Sequence, residues 1–387
     1  MVKKRIAFIV NHAAFFVSHR FNLALAAREA GFEVCLFTGQ AGSVQMETTA
    51  VHHLKLNGLL HKKALFTSSG MNPLIELIGL LQLVWFILRF QPDIVHCASP
   101  KGVLYGGIAA RLGGAPALLL AISGMGYAHT TGGSHVRSRG WVRKIYNVLS
   151  RFAFDHRNVR VIVQNRDDYM SILESGLATE HTVTTIPGSG VQLARYAECT
   201  VSDKRDIVLL PARMLKDKGV VEFVEAARWV KERQPRWRFV LAGAAGYQNP
   251  SAIAKVHLQA WQAEGCVEWI GHVEDMTELY REASIVCLPS YREGMPKSLL
   301  EAAAAGCAVV TTDVPGCRDA IEPGVTGDKV PARDSGALAT ALLSLIEDPN
   351  RRRAYGMQGQ KRAKKLFSID TVSDRTVAIY KGMLVNA

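Results

Sequence analysis

A short apolar run that leads directly into a helix is the feature that most restricts how this chain can fold. Residues 284–288 read SIVCL, which has the length and composition of a buried strand, and Pro289 and Ser290 end the run. A helix is predicted to begin near Pro296. Strand, tight loop and helix in this order are the repeating unit of a parallel α/β sheet. Because the start of a helix presents unpaired N–H groups and the positive end of its dipole, we expect this loop to bind a phosphate.

Two glutamates accompany the predicted phosphate loop. Glu293 is in the loop and Glu301 is inside the helix that follows. At this separation the two side chains need not share a helix face, so one carboxylate can meet a sugar while the other binds a ribose diol. A capped helix whose Glu301 is only a solvated surface side chain would show the same spacing.

The complete segment 293–321 reads EGMPKSLLEAAAAGCAVVTTDVPGCRDAI. It resembles the donor-site signature of family 4 of the retaining GT-B-fold glycosyltransferases. The resemblance implies an α/β fold of the GT-B type, in which two Rossmann-like, doubly wound parallel-sheet domains face a cleft. It also implies a set of donor-binding positions, which are Glu301, Gly294, Met295, Pro296, Lys297, Ser298, Leu299, Gly243 and Val273.

A pair of cations completes the predicted donor site. Arg213 and Lys218 belong to the string PARMLKDKG, which follows the first predicted strand of the second domain. Two cations at the mouth of a parallel sheet can neutralise a diphosphate leaving group, Arg213 with a fork of donors and Lys218 as a point charge. The R-x4-K-G spacing resembles the phosphate-binding pair of the family. We therefore expect Glu293, Arg213 and Lys218 to act in catalysis.

A different segment is predicted to form the acceptor side. After the first strand the chain reads NHAAFFVSHR, without the Gly-Gly turn of most relatives, and it is similar here to bacterial surface-polysaccharide transferases. The similarity extends over 93–96, 99–102 and 122–126. The histidine that many family members place near Ser123 is absent, which leaves the reactive centre unassigned. The acceptor-side candidates are His12, His19, Arg20, His96, Lys101 and Ser123.

Length and patterning predict two domains. The 387 residues suffice for two cores, and 48% apolar with 21% charged residues is a globular composition. We expect an N-terminal acceptor-binding domain at 1–195 and a C-terminal nucleotide-sugar-binding domain at 204–368. By the resemblance, a terminal helix at 369–387 crosses back to the first domain. A helix is expected around 18–30. The predicted strands are 6–10, 33–37, 93–96, 117–122, 159–163, 207–210, 238–242, 266–270, 284–288 and 308–311.

The positive charge is concentrated in the first half of the chain. The formal net charge is +12, of which +9 falls on residues 1–190 and +3 on the remainder. No nucleic-acid-binding module is recognisable, so we expect no nucleic-acid partner and favour an anionic membrane surface. The strongly apolar segment 71–90 is predicted to be a buried or partly membrane-touching helix, and 134–160 alternates basic with apolar residues. A solvated basic helix packed on the sheet would also give the second pattern.

The cysteines predict a reducing compartment. The chain has seven, which is an odd number, and none is spaced as C-x-x-C. Several fall in strand-like runs, so we expect buried, reduced thiols without disulfides or zinc. The short apolar run at the chain start is predicted to be a core strand and not a signal peptide.

Together these features predict a retaining glycosyltransferase that moves a hexose or N-acetylhexosamine from a nucleotide diphosphate sugar, with UDP preferred, to a polyprenyl-diphosphate-linked glycan. The resemblance places such an enzyme in the cytoplasm, peripheral on the inner face of the cell membrane. No D-x-D pair stands at a strand end, so we expect no metal and no other cofactor. A nucleotide-sugar epimerase and a catalytically silent subunit on the same fold are the alternatives.

Overall fold

The computed structural model describes residues 3–40, 44–67, 72–124, 140–246 and 249–385, and it describes the side chains of these residues except 45 and 140–143. Part of the predicted basic apolar segment, at 134–139, and Met71 lie outside the described residues. The chain folds into two compact units. The first comprises Met1–Ser189 and Val372–Ala387, and the second comprises Gly190–Thr371.

The first unit is a parallel sheet with helices on both faces. The described strands pair in the order β3-β2-β1-β4-β5-β6-β7, and all pairs are parallel. The strands are β1 Arg5–Val10, β2 Glu33–Gln40, β3 Leu60–Thr67, β4 Ile94–Ala98, β5 Ala117–Ala121, β6 Val159–Val163 and β7 Val183–Thr185. The helices are α1 Ala13–His19, α2 Phe21–Glu29, α3 Val44–Leu56, α4 Pro73–Phe90, α5 Pro100–Leu112, α6 Gly140–Phe154 and α7 Arg166–Glu174.

The second unit repeats this architecture. Its described strands pair in the order β10-β9-β8-β11-β12-β13, again all parallel. The strands are β8 Arg205–Pro211, β9 Arg238–Ala242, β10 Glu268–Gly271, β11 Ala283–Leu288, β12 Ala308–Thr312 and β13 Gly327–Val330. The helices are α8 Val220–Arg233, α9 Lys255–Ala263, α10 Thr277–Glu282, α11 Lys297–Ala304, α12 Cys317–Ala320, α13 Ser335–Glu347, α14 Pro349–Arg362 and α15 Ile369–Val385. The predicted α/β class with two doubly wound parallel sheets is confirmed.

Three differences from the predicted elements have local causes. The helix expected at 18–30 is two helices, because Arg20 leaves the helical conformation with φ −132° and ψ −7°. Strands β3, β7 and β13 were not predicted. The first of these is an edge strand whose exposed Lys62 and Lys63 interrupt the apolar pattern, and β7 and β13 are only three and four residues long. The strand predicted to start at residue 266 begins at Glu268.

The chain crosses from one unit to the other twice, and the two connecting segments are hydrogen-bonded to each other. Val191 pairs with Ser368, and the Ile369 N–H donates to the Val191 carbonyl at 3.0 Å. This pairing explains why 190–195, which we expected in the first domain, belongs to the second unit. From Val372 onward helix α15 belongs to the first unit.

The last helix is held in the first unit by a buried polar cluster. The Tyr380 hydroxyl lies 2.5 Å from Nδ1 of His96 on β4, and Arg20 completes the cluster. All three side chains are buried. Burial, with a further contribution from Arg20, holds the pKa of His96 well below its ordinary value, and burial lowers the pKa of Arg20 to about 10. His96 is therefore neutral in the folded protein.

Helix α4 exposes most of its apolar surface. Only Gly79, Leu83 and Ile87 are buried along its length. Gly79 permits this packing, since a Cβ at that position would lie 2.8 Å from the Phe66 nitrogen. By length and composition, α4 is the one helix among the described residues that could cross a bilayer. Its exposed apolar residues include Leu74, Leu77, Ile78, Leu81, Trp85 and Leu88.

The first unit should be labile to acid. Burial lowers the pKa values of His12, His61, His96 and His156, all in this unit. The unfolded chain binds protons at these sites below about pH 6.5, so the unfolding free energy should fall as the pH decreases through this value, by about 1.4 kcal/mol per pH unit for His96 alone. Hydrogen exchange of β4 peptides at pH 7.5 and 5.5, corrected for intrinsic rates, measures this effect. His96→Gln should reduce the pH dependence, and equal protection of the wild type at both pH values would contradict the expectation.

Candidate active site

The loops that carry the predicted donor residues leave one edge of the second sheet. Parallel strands bring their carboxyl ends to the same edge, so the loops after β8, β9, β11 and β12 are neighbours. Two glycines set how closely these loops approach. A Cβ on Gly243 would lie 1.8 Å from the Ala212 carbonyl oxygen, and one on Gly219 would lie 2.1 Å from the Pro289 carbonyl oxygen. Gly219 also has φ +71°, which favours glycine.

The loop from 289 to 296 is fixed by hydrogen bonds to its neighbours. The Tyr291 N–H donates to the Asp217 carbonyl at 2.9 Å, and the Tyr291 hydroxyl donates to the buried Glu222 carboxylate at 2.5 Å. The Thr312 hydroxyl donates to the Ser290 carbonyl. None of these supporting side chains was predicted from the sequence, since each acts through a residue distant along the chain.

Glu293 and Lys218 form an ion pair in this loop cluster. Nζ of Lys218 lies 2.5 Å from Oε1 of Glu293, and each side chain is 16% exposed. The Ser290 hydroxyl donates to the same oxygen at 2.9 Å. Burial is the main cause that raises the pKa of the neighbouring Cys317 thiol to about 12, and Glu293 adds to it. The sequence predicted both residues for the donor site but not their pairing.

Arg213 lies in the same loop as Lys218 and is exposed. The Leu215 N–H donates to its carbonyl at 2.7 Å, which tightens the turn that carries the cations. Arg213 gives this loop a second cation beside Lys218, and two cations are the group predicted to meet a diphosphate.

Helix α11 begins beside this ion pair. Pro296 is its N-cap, without a side-chain cap hydrogen bond, and Leu299 is buried under the first turn. Ser298, Gly294 and Lys297 are partly exposed around the start, whereas Pro296 is buried, and Met295 packs on the core of the unit. The helix is therefore anchored from below while its N-terminus remains accessible.

Glu301 lies inside α11 with two buried tyrosines beside it. Its side chain is 16% exposed, and its Oε1 lies 3.5 Å from Nζ of Lys297. Burial, followed by the nearby Glu301 carboxylate, raises the pKa values of Tyr196 and Tyr280. The two rings meet edge to face at 6.1 Å. Glu301 is thus a largely buried carboxylate in a structured setting and not a freely solvated side chain.

The loop after β10 supplies the remaining predicted donor positions. The Gly243 N–H donates to the Gly271 carbonyl at 2.7 Å, and the Trp269 indole N–H donates to the Gly243 carbonyl at 2.9 Å. Val273, two residues beyond Gly271, is partly exposed. These bonds bring the loop that carries Val273 to the same edge of the sheet as Gly243.

On the predicted acceptor side, His12 is held as one tautomer. It is the N-cap of α1, where its Nδ1 accepts the Phe15 N–H at 3.1 Å. An accepting Nδ1 places the imidazole proton on Nε2. Glu47, which the sequence did not indicate, accepts the Ala13 N–H at 3.1 Å and lies 4.0 Å from His12. Burial, opposed by Glu47, lowers the pKa of His12, so the ring remains a neutral hydrogen-bond donor.

The other acceptor-side candidates fall into two groups. His19 stacks on Phe15 with ring centroids 4.6 Å apart, and Lys101 pairs with Glu76 at 2.8 Å; both side chains are partly exposed. Ser123 is also partly exposed. Arg20 and His96 are buried against α15 by the long-range packing of the last helix, which local sequence does not reveal. Their assignment to the acceptor side stays a prediction.

All seven cysteines are buried and unpaired. Within the described ranges, His, Cys, Asp and Glu side chains form no group of three or more that could hold a metal ion.

Two family models match successive parts of the chain. "Glycosyl transferase 4-like" matches residues 5–165 and "Glycosyl transferases group 1" matches residues 197–362. A solved structure of Anabaena HepE with UDP superimposes with a TM-score of 0.74 at 16% identity, over 98% of this chain and 100% of that one. The chain is a GT-B glycosyltransferase.

Two relatives of this glycosyltransferase align with most or all of its length. It is 26% identical to the N,N'-diacetylbacillosaminyl-diphospho-undecaprenol alpha-1,3-N-acetylgalactosaminyltransferase of Campylobacter jejuni, over 99% of this chain and 100% of that protein. It is 24% identical to the UDP-Gal:alpha-D-GlcNAc-diphosphoundecaprenol alpha-1,3-galactosyltransferase of Escherichia coli, over 80% of this chain and 82% of that protein.

The pairing of Lys218 with Glu293 makes a prediction about nucleotide binding. Glu293→Gln keeps the shape but removes the negative charge that Lys218 neutralises, so a nucleoside diphosphate should bind about three- to tenfold more tightly, which is about 1 kcal/mol. Sugar transfer should decrease at the same time if Glu293 contacts the sugar. Calorimetric titration measures the affinity, with Glu274→Gln as an exposed control in the same unit. Unchanged or weaker binding by Glu293→Gln would show that the pair does not compete with the ligand.

Proposed function

We propose that this protein is a retaining glycosyltransferase that transfers a hexose or N-acetylhexosamine from a nucleotide diphosphate sugar to a polyprenyl-diphosphate-linked glycan. The observation that carries the proposal is the grouping of the Lys218–Glu293 pair, Arg213 and the N-terminus of α11 at one sheet edge. The names of the Campylobacter jejuni and Escherichia coli relatives support an undecaprenyl-diphosphate-linked acceptor, and the latter name supports UDP.

Each donor-side group has a role in this proposal. Arg213, Lys218 and the first N–H groups of α11 receive the diphosphate, whose charge increases as the bond to the sugar breaks. Glu301 accepts the ribose hydroxyls, and Glu293 accepts hydroxyls of the transferred sugar. The bond from the anomeric carbon to the diphosphate oxygen breaks, the acceptor oxygen bonds to that carbon on the same face, and the acceptor proton passes to the leaving diphosphate. The cations and the helix end perform this role without a metal ion.

The side of the first unit that carries α4 is proposed to rest on the inner face of the cell membrane. Leu74, Leu81 and Trp85 are each more than half exposed on α4, and Lys62 and Lys63 are exposed on the adjoining edge strand. Helix α6 adds exposed Ile145 and Val148 beside Lys144 and Arg151. Apolar surface flanked by cations suits the headgroup region of anionic lipid. These features support the proposal of a peripheral enzyme on the cytoplasmic side of the membrane, where lipid-linked acceptors are within reach.

Removal of Glu301 tests the transferase proposal. In Glu301→Ala the ribose loses a carboxylate acceptor, whose charge-assisted hydrogen bonds contribute about 1.5 to 3 kcal/mol each, so donor use should fall at least tenfold. Nucleotide release from UDP- and GDP-sugars is measured with and without a polyprenyl-diphosphate sugar, and Glu274→Ala is the control. Acceptor-dependent release in the wild type supports the transferase. Acceptor-independent turnover would instead indicate an epimerase or hydrolase, and donor binding without turnover a silent subunit.

Charge on α4 tests the membrane proposal. Leu81→Glu with Trp85→Glu removes two exposed apolar side chains and adds two negative charges, so partition onto vesicles of anionic phospholipid should fall at least about tenfold. Vesicle flotation measures the partition. Trp229→Glu, at an exposed tryptophan of the second unit, is the matched control. Equal flotation of both variants would refute the assignment of α4.

A further inference from the structure

A cationic pocket that is separate from the donor loops lies in the second unit, at the opposite end of its sheet from Glu293. Lys204 precedes β8, Ser284 lies at the start of β11, and Gly306 precedes β12, so all three lie where parallel strands begin. Helix α14 contributes Arg352 and Arg353. The cavity volume is about 50 Å³. No carboxylate is among its lining residues, which carry three cations.

Two of the cations are fixed by the protein and retain unused donors. Nζ of Lys204 donates to the Tyr280 carbonyl at 2.7 Å and lies 3.5 Å from Sγ of Cys307. An ammonium has three N–H groups, so at least one remains.

Arg352 is held more firmly still. Its Nη1 donates to the carbonyls of Leu345 and Ile346 at 2.6 and 3.0 Å, and its guanidinium lies over the Trp237 ring at 5.0 Å. The N–H groups of its Nε and Nη2 remain to donate to a ligand. Side chains held in this way form an anion site without a large ordering cost.

The lining of the pocket is cationic, and three aspartates lie nearby. Burial is the main cause that lowers the pKa of Arg352; Asp206 and Asp348 oppose it, and the neighbouring Arg353 adds to it. A guanidinium that is partly desolvated beside a second one gains more from a bound anion than a solvated one does. Asp203 is exposed and adjoins Ser202, whose hydroxyl donates to it at 3.0 Å.

We propose that this pocket binds a single phosphate group, as inorganic phosphate or as the phosphate of a sugar phosphate, separately from the donor diphosphate. The lining decides the ligand class, because three cations without a lining carboxylate suit a tetrahedral oxyanion. Ser284 and Ser202 also line the pocket, but their hydroxyls donate to the Arg205 carbonyl and to the Asp203 carboxylate, so the ligand receives its hydrogen bonds from the three cations.

The pocket is linked to the donor site inside the same unit. Lys204 holds the carbonyl of Tyr280, whose ring lies beside Glu301, and Gly306 follows directly on the helix that carries Glu301. A bound anion takes the spare N–H of Lys204 and draws the ammonium toward itself, which lengthens its hydrogen bond to the Tyr280 carbonyl and shifts the tyrosine beside Glu301. Occupancy therefore lowers affinity for the donor nucleotide, and the nucleotide lowers affinity for the anion by the same factor.

Calorimetric titration of inorganic phosphate and of glucose 1-phosphate tests the site. The titrations use the full chain with Arg213→Gln and Lys218→Gln, which weaken binding at the donor loops. One site is expected, and Arg353→Glu in that background should weaken it at least tenfold, whereas Lys361→Glu, an exposed charge reversal on the same helix, should not. If Arg353→Glu binds phosphate like Lys361→Glu, the site is refuted. Tighter binding of one titrant identifies which source of phosphate the pocket prefers.

The coupling has a separate test. Saturating phosphate should weaken UDP binding to the otherwise unmodified chain but have a smaller effect on Arg353→Glu. An equal effect on both would mean that phosphate competes at the donor loops, and the coupling would be refuted. Neither titration requires sugar transfer, so failure of the proposed transferase function would appear in the turnover assays and not here.

Discussion

The parallel direction of all described strands is the constraint on which the donor site depends. It sends every strand-to-helix loop of a sheet to one edge, where chain segments from 211 to 316 become neighbours. The loops then approach so closely that Gly243 and Gly219 have no room for a Cβ. Close backbone approach in turn lets Tyr291 and Thr312 fix the loop by hydrogen bonds. Backbone geometry therefore positions the cationic loop, the two carboxylates and the N-terminus of α11 relative to one another.

Charge balance in this loop cluster is as important as its shape. Lys218 is a poorly solvated cation, and Glu293 compensates its charge at hydrogen-bonding distance. A diphosphate brings more negative charge than one carboxylate, so the lysine can exchange partners when the ligand binds. The same pair stabilises the loop, and under the proposed function its lysine also binds the diphosphate.

In the first unit, charged and polar side chains are buried while an apolar helix face is exposed. Its buried Arg20, His96 and Tyr380 hold the terminal helix, whereas α4 leaves leucines and Trp85 in solvent. A helix that buries only Gly79, Leu83 and Ile87 contributes a narrow stripe to the core. Leu80, Val84, Phe86 and Phe90 pack partly against the same core, and the opposite face of the helix is exposed.

Local spacing in the sequence determined the α/β class and most strands, because these features depend on residues a few positions apart, where strand, turn and helix preferences act. The positions of Glu293, Glu301, Arg213 and Lys218 were indicated by the resemblance to a glycosyltransferase family. Only the tertiary structure decided that Lys218 pairs with Glu293, 75 residues away. It also decided that Tyr380 packs against the buried His96, which is 284 residues away along the chain. Such contacts arise from packing between distant segments, and no pattern along the chain records which partner a buried charge will meet.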